Sequence, residues 1–155
     1  MENPILVGAT APVFNLMDNR GKMVSLNDYK GKKVLLSWHP LAFTPVCTEQ
    51  MKSLEANYAQ FEELNTIPLG FSVDPVPSKN AWAKELQISN LKLPSDFWPH
   101  GAVAKAYGLF RELEGFSERA NIVVDEKGKV MWIKVYNMPD LPDIEEVIQV
   151  LKKSI

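Results

Sequence analysis

KVLLSWHPLAFTPVCTEQMKSLEANYAQFEEL, residues 33–64, joins two different patterns of apolar side chains. The continuous apolar run inside Lys33–Trp38 predicts a central β-strand that is covered on both faces. After it, apolar residues recur every three or four positions, which predicts a single amphipathic helix over Cys47–Leu64. The apolar stripe of that helix comprises Met51, Leu54, Tyr58, Phe61 and Leu64.

The rest of the chain continues this alternation of predicted strands and helices. The predicted elements are a hairpin from Pro12–Met17 and Lys22–Leu26, a strand at Ile67–Val73, a helix that opens at Ser78, a short apolar element at Leu91–Leu93, a short helix at Gly101–Tyr107 capped by Gly108, a closing hairpin from Asn121–Val124 and Lys129–Tyr136, and a final helix capped by Asp140 or Asp143. Strands that alternate with helices predict an α/β sandwich with a partly parallel sheet and helices on both faces.

The composition indicates a folded chain that we expect to form one domain over residues 1–155. With 155 residues, 46% of them apolar and 23% charged, the chain resembles ordinary globular domains, which excludes the disordered and fibrous classes. The net charge of −2 lacks the basic excess expected of a protein that binds nucleic acid or acidic membranes. Met1–Val7 has no signal-peptide pattern and no apolar run is long enough to span a bilayer, so we expect a cytoplasmic protein.

Cys47 is the single cysteine of the chain. An intramolecular disulfide, a CxxC redox pair and a cysteine-rich zinc site are therefore excluded. The predicted elements place Cys47 in the first turn of a helix, where backbone N–H groups lack intrahelical partners and the helix dipole is positive. Both effects stabilise a thiolate, which is the nucleophilic form of cysteine. The other interpretation of a lone cysteine is a small, buried and inert apolar residue.

The loop before Cys47 carries residues that suit an attack on oxygen. Pro40 and Pro45 stiffen it, and Pro40 is placed to screen the sulfur from water. Thr44 precedes Cys47 by three residues, and its hydroxyl can accept a hydrogen bond from, or donate one to, a bound oxygen.

Other candidate site residues carry weaker signals. His39 and His100 lack the close spacing to Cys47 that zinc ligands show, so we expect no metal site. Arg111 is either a second cation at the site or a solvated loop residue. The aromatic residues that can cover the pocket, or pack in the core or between subunits, are Trp82, Phe97, Trp98 and Tyr107.

The spacing Pro40-x-x-x-Thr44-x-x-Cys47 resembles the active-site motif of the peroxiredoxins, AhpC/TSA-like thiol peroxidases with a thioredoxin-like fold. The resemblance extends over nearly the whole chain, and SDFWPHGAV at residues 95–103 looks like the one-cysteine subgroup named after alkyl hydroperoxide reductase E. Further similar segments are GATAPVF (8–14), LNDYKGK (26–32), FSVD (71–74), Ala81-Trp82, ERA (118–120) and VDEKG (124–128). The family implies a mixed central sheet, an N-terminal hairpin and no haem, metal or flavin.

The resemblance also implies a role for each residue of the motif. Cys47 attacks the terminal oxygen of hydrogen peroxide, an organic hydroperoxide or peroxynitrite and becomes a sulfenic acid. Thr44 hydrogen-bonds the peroxide, and Pro40 shields the sulfur. Arg119 lies beside the thiolate and the substrate oxygens, although the residue by itself also fits an exposed salt bridge at a strand end. The backbone N–H groups of Val46 and Cys47 are expected to add donors.

Three features depart from the family pattern. Trp38 stands where many members carry phenylalanine, and Gln50 stands where many carry a glutamate that helps to orient the arginine. No resolving cysteine is present, so the sulfenic acid must react with an external thiol or a thioredoxin- or glutaredoxin-like protein. The family further implies a homodimer or a higher homo-oligomer.

Two other functions compete with this prediction. A thiol–disulfide oxidoreductase on the same fold is disfavoured by the missing CxxC pair. A binding or chaperone module with an inert cysteine is disfavoured because Pro40, Thr44, Cys47 and Arg119 are all present.

Overall fold

The computed structural model describes residues 3–154. Met1 and Glu2, which begin the stretch without a signal-peptide pattern, and Ile155 lie outside the described residues. The strands are β1 (Asn15–Met17), β2 (Met23–Ser25), β3 (Lys33–Trp38), β4 (Thr66–Phe71), β5 (Phe110–Arg111), β6 (Phe116–Ser117), β7 (Arg119–Val124) and β8 (Val130–Tyr136). The helices are α1 (Pro45–Ala56), α2 (Tyr58–Glu63), α3 (Val76–Glu85), α4 (Ala102–Ala106) and α5 (Ile144–Lys153), and a 3-10 turn covers Leu26–Tyr29.

The central sheet has the strand order β4-β3-β7-β8. Strand β3 is parallel to β4 and antiparallel to β7, and β7 is antiparallel to β8. The sheet is therefore mixed, as the sequence predicts. Every residue of β3 is buried, which confirms that its continuous apolar run belongs to an interior strand covered on both faces.

The two faces of the sheet pack against different layers because side chains of a strand alternate between faces. Leu36 packs with Leu16 and Val24 of the β1–β2 hairpin and with Ala104 of α4. The next side chain back, Leu35, packs on the opposite face, with residues of α1, α2, α3 and α5. Helices thus cover both faces, which confirms the α/β sandwich.

The two predicted hairpins are confirmed, and the structure adds a third. Strands β1 and β2 pair in antiparallel register, and β7 and β8 flank the turn at Asp125–Gly128. The short hairpin β5–β6 was not expected, because strands of two residues carry no alternating pattern.

The prediction of one helix over Cys47–Leu64 is wrong in its continuity. The backbone leaves helical geometry at Asn57, with φ −104° and ψ 13°, and this residue separates α1 from α2. The Asn57 side-chain amide donates to the carbonyl of Ser53 at 2.8 Å, which illustrates how asparagine competes with helical hydrogen bonding. Phe61 of α2 stays buried on the same side as Leu54, so the apolar period runs through the break and conceals it.

The ends of the later helices follow the chemistry of their first and last residues. Helix α3 starts at Val76 rather than Ser78, because Pro77 is tolerated in a first turn that needs no N–H donor there. Gly108 follows α4 with φ +69°, as expected of a glycine after a helix. Asp143 caps α5 by accepting a hydrogen bond from the amide of Glu145 at 3.0 Å.

The register brings three chain segments to one edge of the central sheet. Trp38 at the end of β3 lies opposite Phe71 at the end of β4 and Ala120 near the start of β7. The loop to α1, the loop to α3 and the first residue of β7 therefore meet at this edge. None of the helices in residues 3–154 combines the length and the apolarity that crossing a membrane requires.

Candidate active site

Cys47 occupies the third position of α1, after Pro45 and Val46. Proline has no N–H and its fixed φ suits the first helical position, so Pro45 starts the helix without losing a hydrogen bond. Within residues 3–154, the backbone N–H groups of Val46 and Cys47 have no carbonyl or side-chain partner. Cys47 is fully buried. Its sulfur therefore lies at a helix start that offers unused donors to an anion.

The Thr44 hydroxyl points away from the helix that this residue begins. A threonine before a helix ordinarily accepts a hydrogen bond from an amide of the first turn, but Thr44 makes no such cap. Its Oγ1 instead donates to the carbonyl oxygen of Leu41 at 2.7 Å. This bond uses the hydroxyl hydrogen, leaves lone pairs of Oγ1 free to accept, and leaves the amides of Val46 and Cys47 to another partner.

Arg119 contacts the sulfur of Cys47 directly. Its Nη1 donates to the Sγ at 3.3 Å and to Oε1 of Gln50 at 2.9 Å. Its Nε donates to the carbonyl of Met138 at 3.0 Å, which fixes the plane of the guanidinium. The side chain is only 4% exposed, so the arginine is a buried cation against the thiol and not a surface salt bridge.

Gln50 holds Arg119 through a neutral amide. While its Oε1 accepts from Arg119, its Nε2 donates to the Ser37 hydroxyl at 2.8 Å and to the Trp38 carbonyl at 3.1 Å. A carboxylate cannot donate to that carbonyl. The glutamine that departs from the family pattern is therefore matched by its surroundings, because both ends of its amide are used.

The residues at the end of β3 form a buried wall beside the loop. Pro40 and His39 are both buried. The Trp38 ring stacks on Phe71 with centroids 4.7 Å apart, so this departure from phenylalanine changes core packing. His39 lies 5.2 Å from the ring of Trp82, whose Nε1 donates to the hydroxyl of Thr48 at 3.3 Å.

The polar groups of Arg111, His100 and Tyr107 bond to partners other than the Cys47 sulfur. Arg111 pairs with Glu114 at 2.8 Å and with Glu118 at 2.6 Å. His100 hydrogen-bonds the carbonyl of Gly115, and Tyr107 is a core residue whose hydroxyl donates to Pro12.

Of the remaining aromatic candidates, Trp82 is fully buried, whereas Phe97 and Trp98 are 47% and 78% exposed. No cluster of three or more His, Cys, Asp or Glu side chains suited to a metal ion occurs among residues 3–154.

Sequence reasoning missed a buried polar cluster behind the site. Lys79 of α3 is fully buried, and its Nζ donates to Ser72 Oγ at 2.6 Å and to the Gly70 carbonyl at 3.3 Å. Burial lowers the pKa of Lys79 to about 7, and the negative charges of Asp74, Asp96 and Cys47 oppose that shift. A signal was present, because Lys79 lies three residues before the buried Trp82 and so shares its helical face.

His39 is a second buried titratable group that the sequence did not single out beyond metal binding. Burial, together with the charges of Lys79 and Arg119, lowers the pKa of His39 well below its usual range. Among the described residues neither ring nitrogen meets the geometry of a full hydrogen bond, and a weaker contact with the Ser37 backbone opposes the shift without reversing it. The imidazole is therefore neutral at physiological pH.

Comparison with known proteins places the chain in a family. The AhpC/TSA family matches residues 7–133. Alkyl hydroperoxide reductase E of Mycobacterium tuberculosis is 40% identical over 138 residues, covering 88% of this chain and 90% of the relative. Peroxiredoxin 2 of Picrophilus torridus is 32% identical over 152 residues, covering 96% of this chain and 75% of the relative.

The fold agrees with a solved structure. The reduced 2-Cys peroxiredoxin of Plasmodium vivax superposes with a TM-score of 0.85 at 29% identity, covering 96% of this chain and 81% of that chain. This likeness confirms the thioredoxin-like architecture. With the family match, it makes thiol-dependent peroxide reduction the activity of the chain, and the chain has one cysteine for it. The chain therefore belongs to the AhpC/TSA family, the peroxiredoxins, and is a one-cysteine member of it.

Proposed function

We propose that Cys47 is the peroxidatic residue and that it acts as a thiolate. The sulfur attacks the terminal oxygen of a peroxide along the oxygen–oxygen axis, so that a sulfur–oxygen bond forms and the oxygen–oxygen bond breaks. The sulfur is oxidised to a sulfenic acid. The second peroxide oxygen leaves and takes up a proton to become water or an alcohol. The 3.3 Å contact between Arg119 Nη1 and Cys47 Sγ is the observation that carries this proposal.

Arg119 and the helix start are proposed to stabilise the charge that moves during the attack. The guanidinium is a fixed cation beside the sulfur in a site with little solvent, where preorganised donors act most strongly on developing negative charge. The free amides of Val46 and Cys47 supply further donors at the same place. As negative charge passes from the sulfur to the peroxide oxygens, these donors can stabilise it at both places without rearrangement.

Thr44 is proposed to orient the substrate by accepting a hydrogen bond. Because its own hydrogen is directed to the Leu41 carbonyl, Oγ1 presents lone pairs to the O–H of a hydroperoxide. A substrate that donates to Thr44 places its other oxygen toward the donors around Cys47. This pairing suits hydrogen peroxide and organic hydroperoxides, which carry a peroxidic O–H. Peroxynitrite, which lacks that hydrogen as an anion, is expected to rely on Arg119.

Pro40 is proposed to shield the sulfur in the reduced protein. It is buried in the wall at the end of β3, and Cys47 has no exposed surface. A peroxide therefore reaches the sulfur only when neighbouring side chains give way. The same burial protects the thiolate from larger electrophiles.

The sulfenic acid is proposed to be reduced by thiols from outside the chain. An external thiol attacks the sulfenic sulfur, a mixed disulfide forms and water leaves. A second thiol then releases Cys47 and carries away the disulfide. A small thiol or a thioredoxin- or glutaredoxin-like protein has this chemistry, and a reducing cytoplasm supplies it.

A homodimer or higher homo-oligomer is also proposed, in which exposed aromatic residues such as Trp98 become covered.

Peroxide consumption with dithiothreitol as the only reductant tests the proposed site. The protein should remove hydrogen peroxide catalytically, and Cys47→Ser should be inactive while it keeps its circular dichroism spectrum. Rapid turnover by Cys47→Ser would place the chemistry elsewhere. Size-exclusion chromatography with light scattering tests the oligomer, since a monomer at micromolar concentration would contradict it.

A further inference from the structure

Asp74, which the peroxidase chemistry above does not use, reaches into the loop that carries Thr44. Its Oδ2 accepts a hydrogen bond from the backbone N–H of Ala42 at 2.8 Å. The carbonyl of the preceding residue, Leu41, accepts the hydroxyl hydrogen of Thr44 at 2.7 Å. The Leu41 carbonyl and the Ala42 N–H belong to the same peptide group. One peptide plane therefore connects the Asp74 carboxylate at one end to the Thr44 hydroxyl at the other.

Asp74 is itself held by a buried network. Ser72 Oγ donates to Asp74 Oδ2 at 2.6 Å and accepts from Lys79 Nζ at 2.6 Å. The hydroxyl of Ser95 also donates to the Asp74 carbonyl at 2.6 Å. Ser72 and Lys79 are fully buried, so neither partner is free to reorient into solvent. The carboxylate is therefore held by Ser72, directly after β4, and Lys79 of α3 holds Ser72 in turn. The loop that Asp74 contacts has no regular secondary structure.

The loop needs such a constraint because its backbone is strained. Phe43, between Ala42 and Thr44, has φ +68°, a conformation that is uncommon for residues other than glycine. A strained residue persists only when the surrounding contacts over-determine its conformation. The bond from the Ala42 N–H to Asp74 fixes the chain one peptide before Phe43, and helix α1 fixes the chain after Thr44.

We propose that Asp74 is a positioning residue for peroxide reduction, with Lys79 as its buried counter-ion through Ser72. The carboxylate orients and polarises the Leu41–Ala42 peptide. That peptide in turn holds the Thr44 hydroxyl hydrogen, so that the lone pairs of Oγ1 face the substrate. The proposal rests on the role proposed above for Thr44. It also implies selectivity among reagents, because Asp74 should speed the reaction of Cys47 only with a reagent that hydrogen-bonds to Thr44.

A comparison of two reagents on the intact protein separates positioning from general damage. On this proposal hydrogen peroxide is oriented by Thr44, whereas iodoacetamide, which needs access past Pro40 as peroxide does, needs no hydrogen bond to Thr44. We expect Asp74→Ala to slow oxidation of Cys47 by up to about 100-fold, as a small misplacement of a reacting group can do. The rate of alkylation should change by less than about twofold, which is the scatter expected when two sites are independent. Equal slowing with both reagents would overturn the proposal.

A double-variant cycle with Thr44→Val tests whether Asp74 acts through Thr44. In the Thr44→Val background, Asp74→Ala should slow oxidation by less than about twofold more, because the group that it positions is gone. If the double variant instead slows oxidation by the product of the two single effects, the residues act independently and the proposal is contradicted. If Thr44→Val slows oxidation but Asp74→Ala does not, only this inference fails. If Thr44→Val has no effect, the proposed role of Thr44 fails and this inference with it.

Two further variants guard against loss of folding as the explanation. Asp125→Ala removes a partly buried carboxylate that also accepts backbone amides, at 2.9 Å from Lys127 and Lys129, in the turn after β7. It should leave oxidation of Cys47 unchanged, and a slowing like that of Asp74→Ala would overturn the proposal. If Asp74→Ala does not fold, Asp74→Asn removes the charge at nearly constant volume and carries the same comparison.

Discussion

The guanidinium of Arg119 donates a hydrogen bond to the sulfur of Cys47 at 3.3 Å, although 72 residues separate them in the chain. The contact follows from the sheet register. Strand β7 starts at Arg119 and runs antiparallel to β3, whose end leads into the loop before α1. The sheet thus brings a cation to the helix start where the thiol lies, and the order of strands decides which side chain contacts the sulfur.

Replacing Arg119 tests what this contact contributes. We expect Arg119→Met to slow oxidation by hydrogen peroxide by a barrier on the order of 2.7–4 kcal/mol, as for the loss of one oxyanion-type donor. Alkylation by iodoacetamide at one fixed pH should also slow, because the cation no longer stabilises negative charge on the sulfur. Stopped-flow oxidation and the rate of alkylation measure the two effects. Arg111→Met, which removes an arginine engaged with Glu114 and Glu118, should leave both unchanged, and unaltered kinetics in Arg119→Met would contradict the assignment.

Gln50→Glu tests whether the amide is matched to its site. The carboxylate loses the donor that now serves the Trp38 carbonyl at 3.1 Å, and a buried carbonyl without its donor costs about 1–3 kcal/mol. The added negative charge near Cys47 also opposes negative charge on the sulfur. Urea unfolding should show the loss of stability, and alkylation at one fixed pH should slow. Gln149→Glu, an exposed amide on α5, is the matched control. An unchanged alkylation rate in Gln50→Glu would show that this position does not act on the sulfur.

Lys79 should give the protein a distinctive dependence of stability on alkaline pH. Its folded pKa is about 7, below the ordinary 10.5. Between these values the unfolded chain binds the extra proton, so the free energy of unfolding rises with pH. Below pH 7 both states are charged, and the full cost of burying the ammonium is present. In Lys79→Met this rise should be absent. The free energy of unfolding of the variant should exceed that of the parent most at pH 7 and least at pH 10.5. A difference between the two proteins that does not vary with pH would rule out this account.

His39 should limit stability under acid conditions. Because its folded pKa lies well below 6.5, the unfolded chain takes up a proton first as the pH falls, and stability decreases below about pH 6.5. His39→Phe removes two buried ring nitrogens that make no full hydrogen bond among residues 3–154. We expect it to raise the free energy of unfolding by about 1–3 kcal/mol and to weaken the acid dependence. Chemical unfolding at pH 5 and pH 7 measures both, and a variant less stable than the parent at pH 5 would refute the prediction.

The sequence predicts an element correctly where the spacing of its apolar residues matches the faces that the fold buries. Strand β3 carries a continuous apolar run because both of its faces are covered, and the turn at Asp125–Gly128 carries its own residue signature. The break at Asn57 is hidden because the apolar period continues on either side of it. Positive φ at Phe43 is equally hidden, since nothing in an aromatic residue indicates it.

The site divides in the same way between local and tertiary causes. Cys47 at a helix start is a local property, and so the sequence points to it. The position of Arg119 depends on strand register, and only resemblance to a family anticipated it. The connection from Lys79 through Ser72 to Asp74 arises where α3 packs on the end of β4. Lys79 carries a local signal, because it shares the helical face of the buried Trp82, but no local pattern reveals that the three residues form one network.

The central claim is that Cys47 alone reduces the peroxide and stops at a sulfenic acid. We expect a disulfide between two copies to be disfavoured, because each sulfur is fully buried at its own helix start, and a disulfide needs close approach of both side chains.

Intact-mass analysis after one equivalent of hydrogen peroxide, without added thiol, tests this claim most directly. We expect the mass of a single chain without a covalent cross-link, heavier by about 16 Da, which is one oxygen on the cysteine oxidation ladder. Peptide mapping should place that oxygen on Cys47, and Cys47→Ser should gain none. A quantitative, reducible dimer linked through Cys47 would contradict the account by showing that a second copy of the chain supplies the resolving thiol.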